Sequence, residues 1–155
     1  MPAVEPELES LDEAQIDQES MDEAKRSLQS QDSEERIAGI EQLSSEPNEE
    51  AETLITNILK TDTNADVRSA AAQNLLAFDN PSESAISALL AALQDASEDV
   101  QTSALDTLES IVSAEESESD RYLVVVSELK NAAKSAKLKA ETKKSLKEFL
   151  QDLEP

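Results

Sequence analysis

Apolar and small residues recur along this chain in a helical rhythm, and the rhythm itself repeats. Val67, Ala71, Leu75 and Phe78 sit at relative positions 0, 4, 8 and 11, a spacing that places them on one face of a helix. The same spacing returns at Val100, Ala104, Leu108 and Ile111, a constant offset of 33. It returns again at Leu138, Thr142, Leu146 and Phe149, at a further offset of 38. Upstream, at an offset of 32, Gly39 falls under Ala71 and Leu43 under Leu75, with Arg36 under Arg68 and Glu35 at position 0. The second stripe position is always small (Gly39, Ala71, Ala104, Thr142), which suits a place where two helices approach closely. Between the copies lie further apolar segments: Leu54, Ile55, Ile58 and Leu59; Ile86, Leu89, Leu90 and Leu93; Leu123, Val124, Val126 and Leu129. Each predicts a second helix. A helix pair repeated at offsets between 32 and 38 predicts an all-α protein, a helical solenoid.

Polar punctuation supports the same frame. Three residues before each first stripe position stand Asp32, Asn64, Ser97 and Ser135, all N-cap formers. Ser20-Met21-Asp22-Glu23 has capping-box spacing and predicts a helix opening there, and Asn80-Pro81 reads as an N-cap followed by proline at the first helical position. Met1 to Glu19 is acidic, contains Pro2 and Pro6, and has too few apolar residues to offset its ordering entropy, so a disordered arm is expected over 1–19 and a helical domain over 20–155. Leu8, Leu11 and Ile16 in that arm form an alternative short partner motif. An acidic loop at 113–120 accounts for the longer third offset, and Ser117 and Ser119 within it have the surroundings of an acidophilic kinase substrate, a solvated loop being the simpler reading. Tyr122-Leu123-Val124-Val125-Val126 is β-branched enough to read as a strand on its own, but the repeat frame requires a helix.

The run Ala65-Asp66-Val67-Arg68-Ser69-Ala70-Ala71-Ala72-Gln73-Asn74-Leu75, followed by Asp79-Asn80-Pro81 and Ile86-Ser87-Ala88-Leu89-Leu90-Ala91-Ala92-Leu93, resembles a HEAT repeat, in particular the subtype of phycobilisome lyases and bacterial adaptors. The resemblance covers residues 32–150. It departs from the family pattern at Gln101, where an arginine is favoured, and at Glu35, where an aliphatic is favoured. It implies a right-handed α-solenoid of about four HEAT-like helix pairs. In such stacks the second helix of each pair tends to line the concave face, here expected to display Arg36, Glu41, Gln42, Arg68, Gln73, Asn74, Gln101, Asp106 and Thr107. Glu41, Gln73 and Asp106 occupy equivalent positions and form the expected contact row.

Charge sharpens this picture. Asp plus Glu number 35 against 13 Lys plus Arg, and the imbalance is uneven: net −14 over residues 1–57, −11 over 58–120 and +3 over 121–155. A strongly acidic body opposes direct binding to nucleic acid or to an anionic membrane and steers basic partners toward it. Solubility or surface bias alone is the plainer reading of the same charge. The lysines at 130, 134, 137, 139, 143, 144 and 147 make a basic end. Lys143 occupies position 5, where Ile40, Ala72 and Leu105 stand in earlier copies, as expected of a polar capping helix.

Chemistry is constrained by what residues are present. The chain has no His and no Cys, which removes the commonest general base, thiol nucleophiles and thiolate–zinc sites, and its one glycine cannot build a phosphate loop. Asp62-Thr63-Asn64-Ala65-Asp66 begins like a calcium loop, but Val67 and Gln73 stand where glycine and a bidentate glutamate are needed. No catalytic residue, cofactor or metal site is therefore expected. No apolar run is long enough to span a membrane, and the first twenty residues have no signal-peptide pattern, so a cytoplasmic location is expected, barring a signal already removed before residue 1. The expected function is a non-catalytic protein-interaction module, an adaptor, scaffold or accessory subunit of a larger assembly. Its partner would be another protein with a basic surface, bound on an acidic or polar solenoid face. Alternatives are a chromophore-lyase-like subunit and an acidic DNA mimic that inhibits a DNA-binding protein.

Overall fold

A computed structural model describes the backbone of residues 6–155 and the side chains of Gln15 and residues 17–155. Those residues form eight α-helices: α1 (Pro6–Leu28), α2 (Ser33–Ser45), α3 (Glu49–Thr61), α4 (Ala65–Asn74), α5 (Glu83–Ala92), α6 (Glu98–Ala114), α7 (Asp120–Ala132) and α8 (Ala140–Asp152). A short 3-10 turn, Leu75–Ala77, closes α4. Successive helices pair as α1 with α2, α3 with α4, α5 with α6 and α7 with α8. The second members α2, α4, α6 and α8 also pack on one another in sequence and form one layer, while α3, α5 and α7 form the other. This two-layer stack of helix pairs is an α-solenoid.

The repeated stripe is its seam. Val67, Ala71 and Leu75 are fully buried, as are Val100, Ala104, Leu108 and Leu146, with Ile111 and Thr142 nearly so. Ile40, Ala72 and Leu105, one step round each helix, are buried too, whereas Lys143 is half-exposed and its amine donates to the Ser135 carbonyl at 3.4 Å. The small residue at the second stripe position has a steric cause that can be measured at Gly39. A Cβ placed there would lie 2.9 Å from the Ser27 Cβ and 3.0 Å from the Ala24 carbonyl oxygen, so α2 approaches the backbone of α1 too closely for any side chain.

Several local expectations about helix starts are corrected. The helix predicted to open at Ser20 is already helical from Pro6, so Pro6–Glu19, assigned by sequence to a disordered arm, has helical backbone. Residues 1–5 and the side chains of Leu8, Leu11 and Ile16 lie outside the described residues. At Asn80-Pro81 the helix starts later, with Ser82 as N-cap accepting the Ala85 N–H at 3.2 Å. Asp32 and Asn64 cap α2 and α4 through their side chains, and Ser97 occupies the N-cap of α6 without a side-chain bond. Ser135 caps nothing helical: its hydroxyl accepts the Lys137 N–H, and α8 waits until Ala140 because the chain stays extended at Lys139.

The segment 122–126 is helix, as the repeat frame requires, since tertiary packing overrides local β propensity. Its inward face is rotated from the expected one, however. Val125, Val126 and Leu129 are buried, while Leu123 and Val124 are 55% and 60% exposed. The acidic connection is also shorter than read, because α6 continues to Ala114 and Ser119 caps α7 by accepting the Tyr122 N–H at 3.1 Å.

Replacing a helix-interior glycine by alanine ordinarily stabilises a protein by about 1 kcal/mol. Gly39→Ala is expected to lose that gain or become destabilising, and Gly39→Val to cost about 2 kcal/mol or more through overpacking. Denaturant unfolding of the two variants beside the parent protein checks this; a stabilised alanine variant contradicts the close contact.

Candidate functional site

Position 1 of each repeat, just after the first stripe residue, is Arg36, Arg68 and Gln101 in the first three copies, all expected on a binding face. The structure gives them a different task. Arg36 donates through Nε and Nη2 to both carboxylate oxygens of Asp62, at 2.8 and 3.0 Å, and Arg68 does the same to Asp95, at 2.9 Å each. Asp62 and Asp95 stand five residues before the first stripe position of the following copy, so each pair ties one repeat to the next. The same side chains also reach back within their own copy: Arg36 Nη1 to the Ser30 carbonyl at 3.0 Å, Arg68 Nη1 to the Asp62 carbonyl at 2.9 Å, and Gln101 Nε2 to the Asp95 carbonyl at 2.7 Å.

The residue that receives these bonds does further work. Asp62 Oδ1 accepts the Asn64 N–H and Asp95 Oδ1 the Ser97 N–H, both at 2.9 Å, and Ser30 Oγ accepts the Asp32 N–H at 3.1 Å. An Asp or Ser side chain bonding the backbone two residues on is a local turn device, and here it positions each N-cap. In the fourth copy the equivalent residue is Ala133, which has no carboxylate, and position 1 of the third copy is correspondingly glutamine. Gln101 is fully buried and grips backbone instead, donating to the Lys137 carbonyl at 3.0 Å and accepting the Lys139 N–H at 2.8 Å. That grip holds the chain extended ahead of α8. The oxygen-rich run 62–66 is thereby accounted for by caps and ion pairs.

Partial burial pushes the Asp62 carboxyl up, but the Arg36 hydrogen bond, the Asn64 N–H and the charges of Arg36 and Arg68 outweigh it and hold the group below the ordinary 3.8. Asp95 is likewise lowered: burial raises it, and the Arg68 and Ser97 hydrogen bonds with the Arg68 charge prevail.

Three more of the nine expected residues are committed internally. Thr107 is buried and donates to the Ala72 carbonyl at 2.9 Å, crossing between α6 and α4. Gln42 donates to the Ser20 carbonyl and hydroxyl at 3.1 Å each, joining α2 to α1. Asn74 donates to the Ala70 carbonyl and accepts the Ser44 hydroxyl at 2.6 Å. Gln101 and Thr107 are therefore not displayed at all. Glu41, Gln73 and Asp106 are exposed and lie at equivalent positions on the neighbouring helices α2, α4 and α6.

A shallow groove of about 400 Å³ runs between α4 and α6, lined by Asp66, Ser69, Gln73, Asp99, Ser103 and Asp106 among others. Its floor is polar and satisfied: the Ser69 and Ser103 hydroxyls are 2.7 Å apart, and Gln73 Nε2 donates to Ser103 Oγ at 3.0 Å. Its rim is acidic. Asp66 and Asp99, with Glu34 on α2, form a second exposed row one residue before the stripe, which the same repeat register would have revealed in the sequence. At the equivalent sequence positions of the fourth copy stand Lys137, in the connection before α8, and Lys144, on α8, both exposed. Below the rim, burial and then the Asp106 charge hold the Glu109 carboxyl above its ordinary value.

The fold defines a helical-repeat protein of the solenoid class, whose open surfaces are the faces of stacked helix pairs. A family model for HEAT repeats matches residues 55–147, and the chain belongs to the HEAT-repeat family. The match is to HEAT repeats as a whole and does not single out the lyase-like subtype. Comparison with curated proteins found no match, and comparison with solved structures found none either. HEAT repeats are commonly protein-interaction modules and the family is generally non-catalytic. No described helix is long and apolar enough to cross a membrane.

The Arg68–Asp95 pair is only 17% and 15% exposed at its side chains. Removing one partner from a pair at this depth is expected to cost about 2 kcal/mol, below the cost for a fully buried pair because some solvent screening remains. Because the folded-state value of Asp95 is depressed, its contribution is fully present above the ordinary aspartate value and is lost as pH falls through the lower folded-state one. The stability gap between parent protein and Asp95→Asn should therefore stay level from neutral pH to about 5 and close below about 4. Unfolding curves at a series of pH values measure it. A gap that widens on acidification would contradict the assignment.

Proposed function

We propose that this protein is a non-catalytic interaction module, an adaptor, scaffold or accessory subunit, that binds a basic segment of a partner protein along the acidic face of α2, α4 and α6. The observation that carries the reading is the fate of the arginines. Arg36 and Arg68 are withdrawn into ion pairs in the connections, so the charge left exposed on this face is that of Glu34, Glu41, Asp66, Asp99 and Asp106. Clustered like charges of this kind raise the local concentration of an oppositely charged partner and speed its association.

The clamps contribute rigidity. The connections at Asp62 and Asp95 are pinned by the ion pairs and the turn bonds, so the acidic rows on α2, α4 and α6 are presented at fixed spacing. Lys137 and Lys144, at the equivalent positions of the fourth copy, favour a partner whose basic stretch is followed by an acidic one.

Charge reversal at Glu41→Lys together with Asp106→Lys tests this with partners captured from the native host. Affinity for a basic partner should fall at least tenfold at low salt, and the dependence of affinity on ionic strength should become shallower. Circular dichroism should be unchanged because both residues are exposed. Unaltered affinity and salt dependence would remove this face as the binding site.

A further inference from the structure

The layer formed by α3, α5 and α7 is not packed evenly. Helix α5 packs more extensively on α3 than on α7. The connection 115–119 is no longer than its counterpart 78–82; the repeat offset lengthens from 33 to 38 because α6 and α7 are 17 and 13 residues long against 10 each for α4 and α5. A groove of about 660 Å³ lies between the two helices. One wall is Glu83, Ile86, Ser87 and Leu90, spaced i, i+3, i+4 and i+7 on α5; the other is Asp120, Arg121, Val124, Val125 and Glu128 on α7.

We infer that this groove docks an amphipathic helix of a partner protein, with an aliphatic stripe and flanking lysines or arginines. Three observations specify that occupant. The floor is aliphatic, and Val124, 60% exposed, stands open to solvent with Leu123 beside it in sequence at 55%, in a protein whose surface is otherwise dominated by charge. An exposed aliphatic wall of this kind, bordered by polar residues, is what a partner's apolar stripe covers. The rim carries the carboxylates of Glu83, Asp120 and Glu128, which match basic flanks. The one cation in the lining, Arg121, lies 3.5 Å from Glu115, a charge pairing without a hydrogen bond at its Nη1. The lining spans about two turns of each bounding helix, roughly 12 Å, which is the reach of i, i+3, i+4 and i+7 anchors on a third helix laid alongside. This site lies in the other helix layer from the acidic face of α4 and α6 and does not depend on it.

The test uses the full chain with isotope-labelled Ile, Leu and Val methyl groups. Three synthetic peptides are compared, each of about 18 residues and so long enough for about five helical turns. One has leucines at helical i, i+3, i+4 and i+7 spacing with lysines elsewhere, the second replaces lysine by glutamate, and the third is the lysine peptide scrambled. The lysine helix should shift the methyls of Ile86, Leu90, Val124 and Val125, and bind at least tenfold more tightly than the other two. Val124→Glu should weaken it tenfold or more, and Glu83→Lys with Glu128→Lys several-fold, with unchanged circular dichroism. Should Val124→Glu fail to fold, the rim variant decides alone. Shifts centred on α4 and α6, indifference to these variants, equal binding of the glutamate peptide, or no binding at millimolar peptide would each overturn the inference.

Discussion

The structure depends on one recurring contact: a side chain at the start of the second helix of each of the first three pairs that holds the connection on either side of it. Arg36 reaches from Ser30 to Asp62, Arg68 from Asp62 to Asp95, and Gln101 from Asp95 to the backbone of Lys137 and Lys139. A solenoid has no long-range contacts to fix the angle between neighbours, so the orientation of each repeat is set only by the interface with the next. A bidentate arginine–carboxylate pair constrains direction as well as distance, which apolar burial does not. The Asp that receives the arginine also accepts the N–H of the next N-cap, so the start of one helix and its tilt against the previous one are settled by the same two oxygens. Where the carboxylate is missing, at Ala133, the arginine is missing too, and a glutamine that can both donate and accept takes over by bonding main chain.

That constraint has an electrostatic consequence. The first three repeats are poor in basic residues, and two of the arginines are consumed by the clamps. The faces left between them are therefore more acidic than a sequence count over the same helices suggests. Glu34, Asp66 and Asp99 on one row, with Glu41 and Asp106 on another, are exposed on neighbouring helices. The sign reverses at Lys137 and Lys144, in the repeat that also carries the half-exposed Lys143 where earlier copies bury Ile40, Ala72 and Leu105.

The other layer changes where the helices lengthen. The connections before α5 and α7 are the same length, 78–82 and 115–119, but α6 and α7 run to 17 and 13 residues against 10 each for α4 and α5. Helix α5 packs less extensively on α7 than on α3. On α7 Val125 turns inward and Val124 outward, so aliphatic residues are left uncovered beside the groove between the two helices.

The repeat, its register, the small residues at the second stripe position and the buried stripe were all legible in the residues alone, because apolar burial at helical spacing is periodic and each copy restates it. The acidic rows of the second helices were equally legible in that register, although only Glu41, Gln73 and Asp106 were read from it. Which polar residues face solvent was settled only by the packing of repeat on repeat. Arg68 and Asp106 are both polar residues on second helices, yet one is held in the connection and the other open to water. The difference lies in Asp95, beyond the end of α5, which closes on Arg68 only when two repeats stack. Ser135 failed as a cap because the chain ahead of α8 is held extended by Gln101 of the preceding repeat, and Leu123 and Val124 failed as core because α7 turns Val125 and Val126 inward instead. Periodicity is carried within each copy, whereas the commitment of a hydrogen bond or the closure of a groove is a property of two copies in contact.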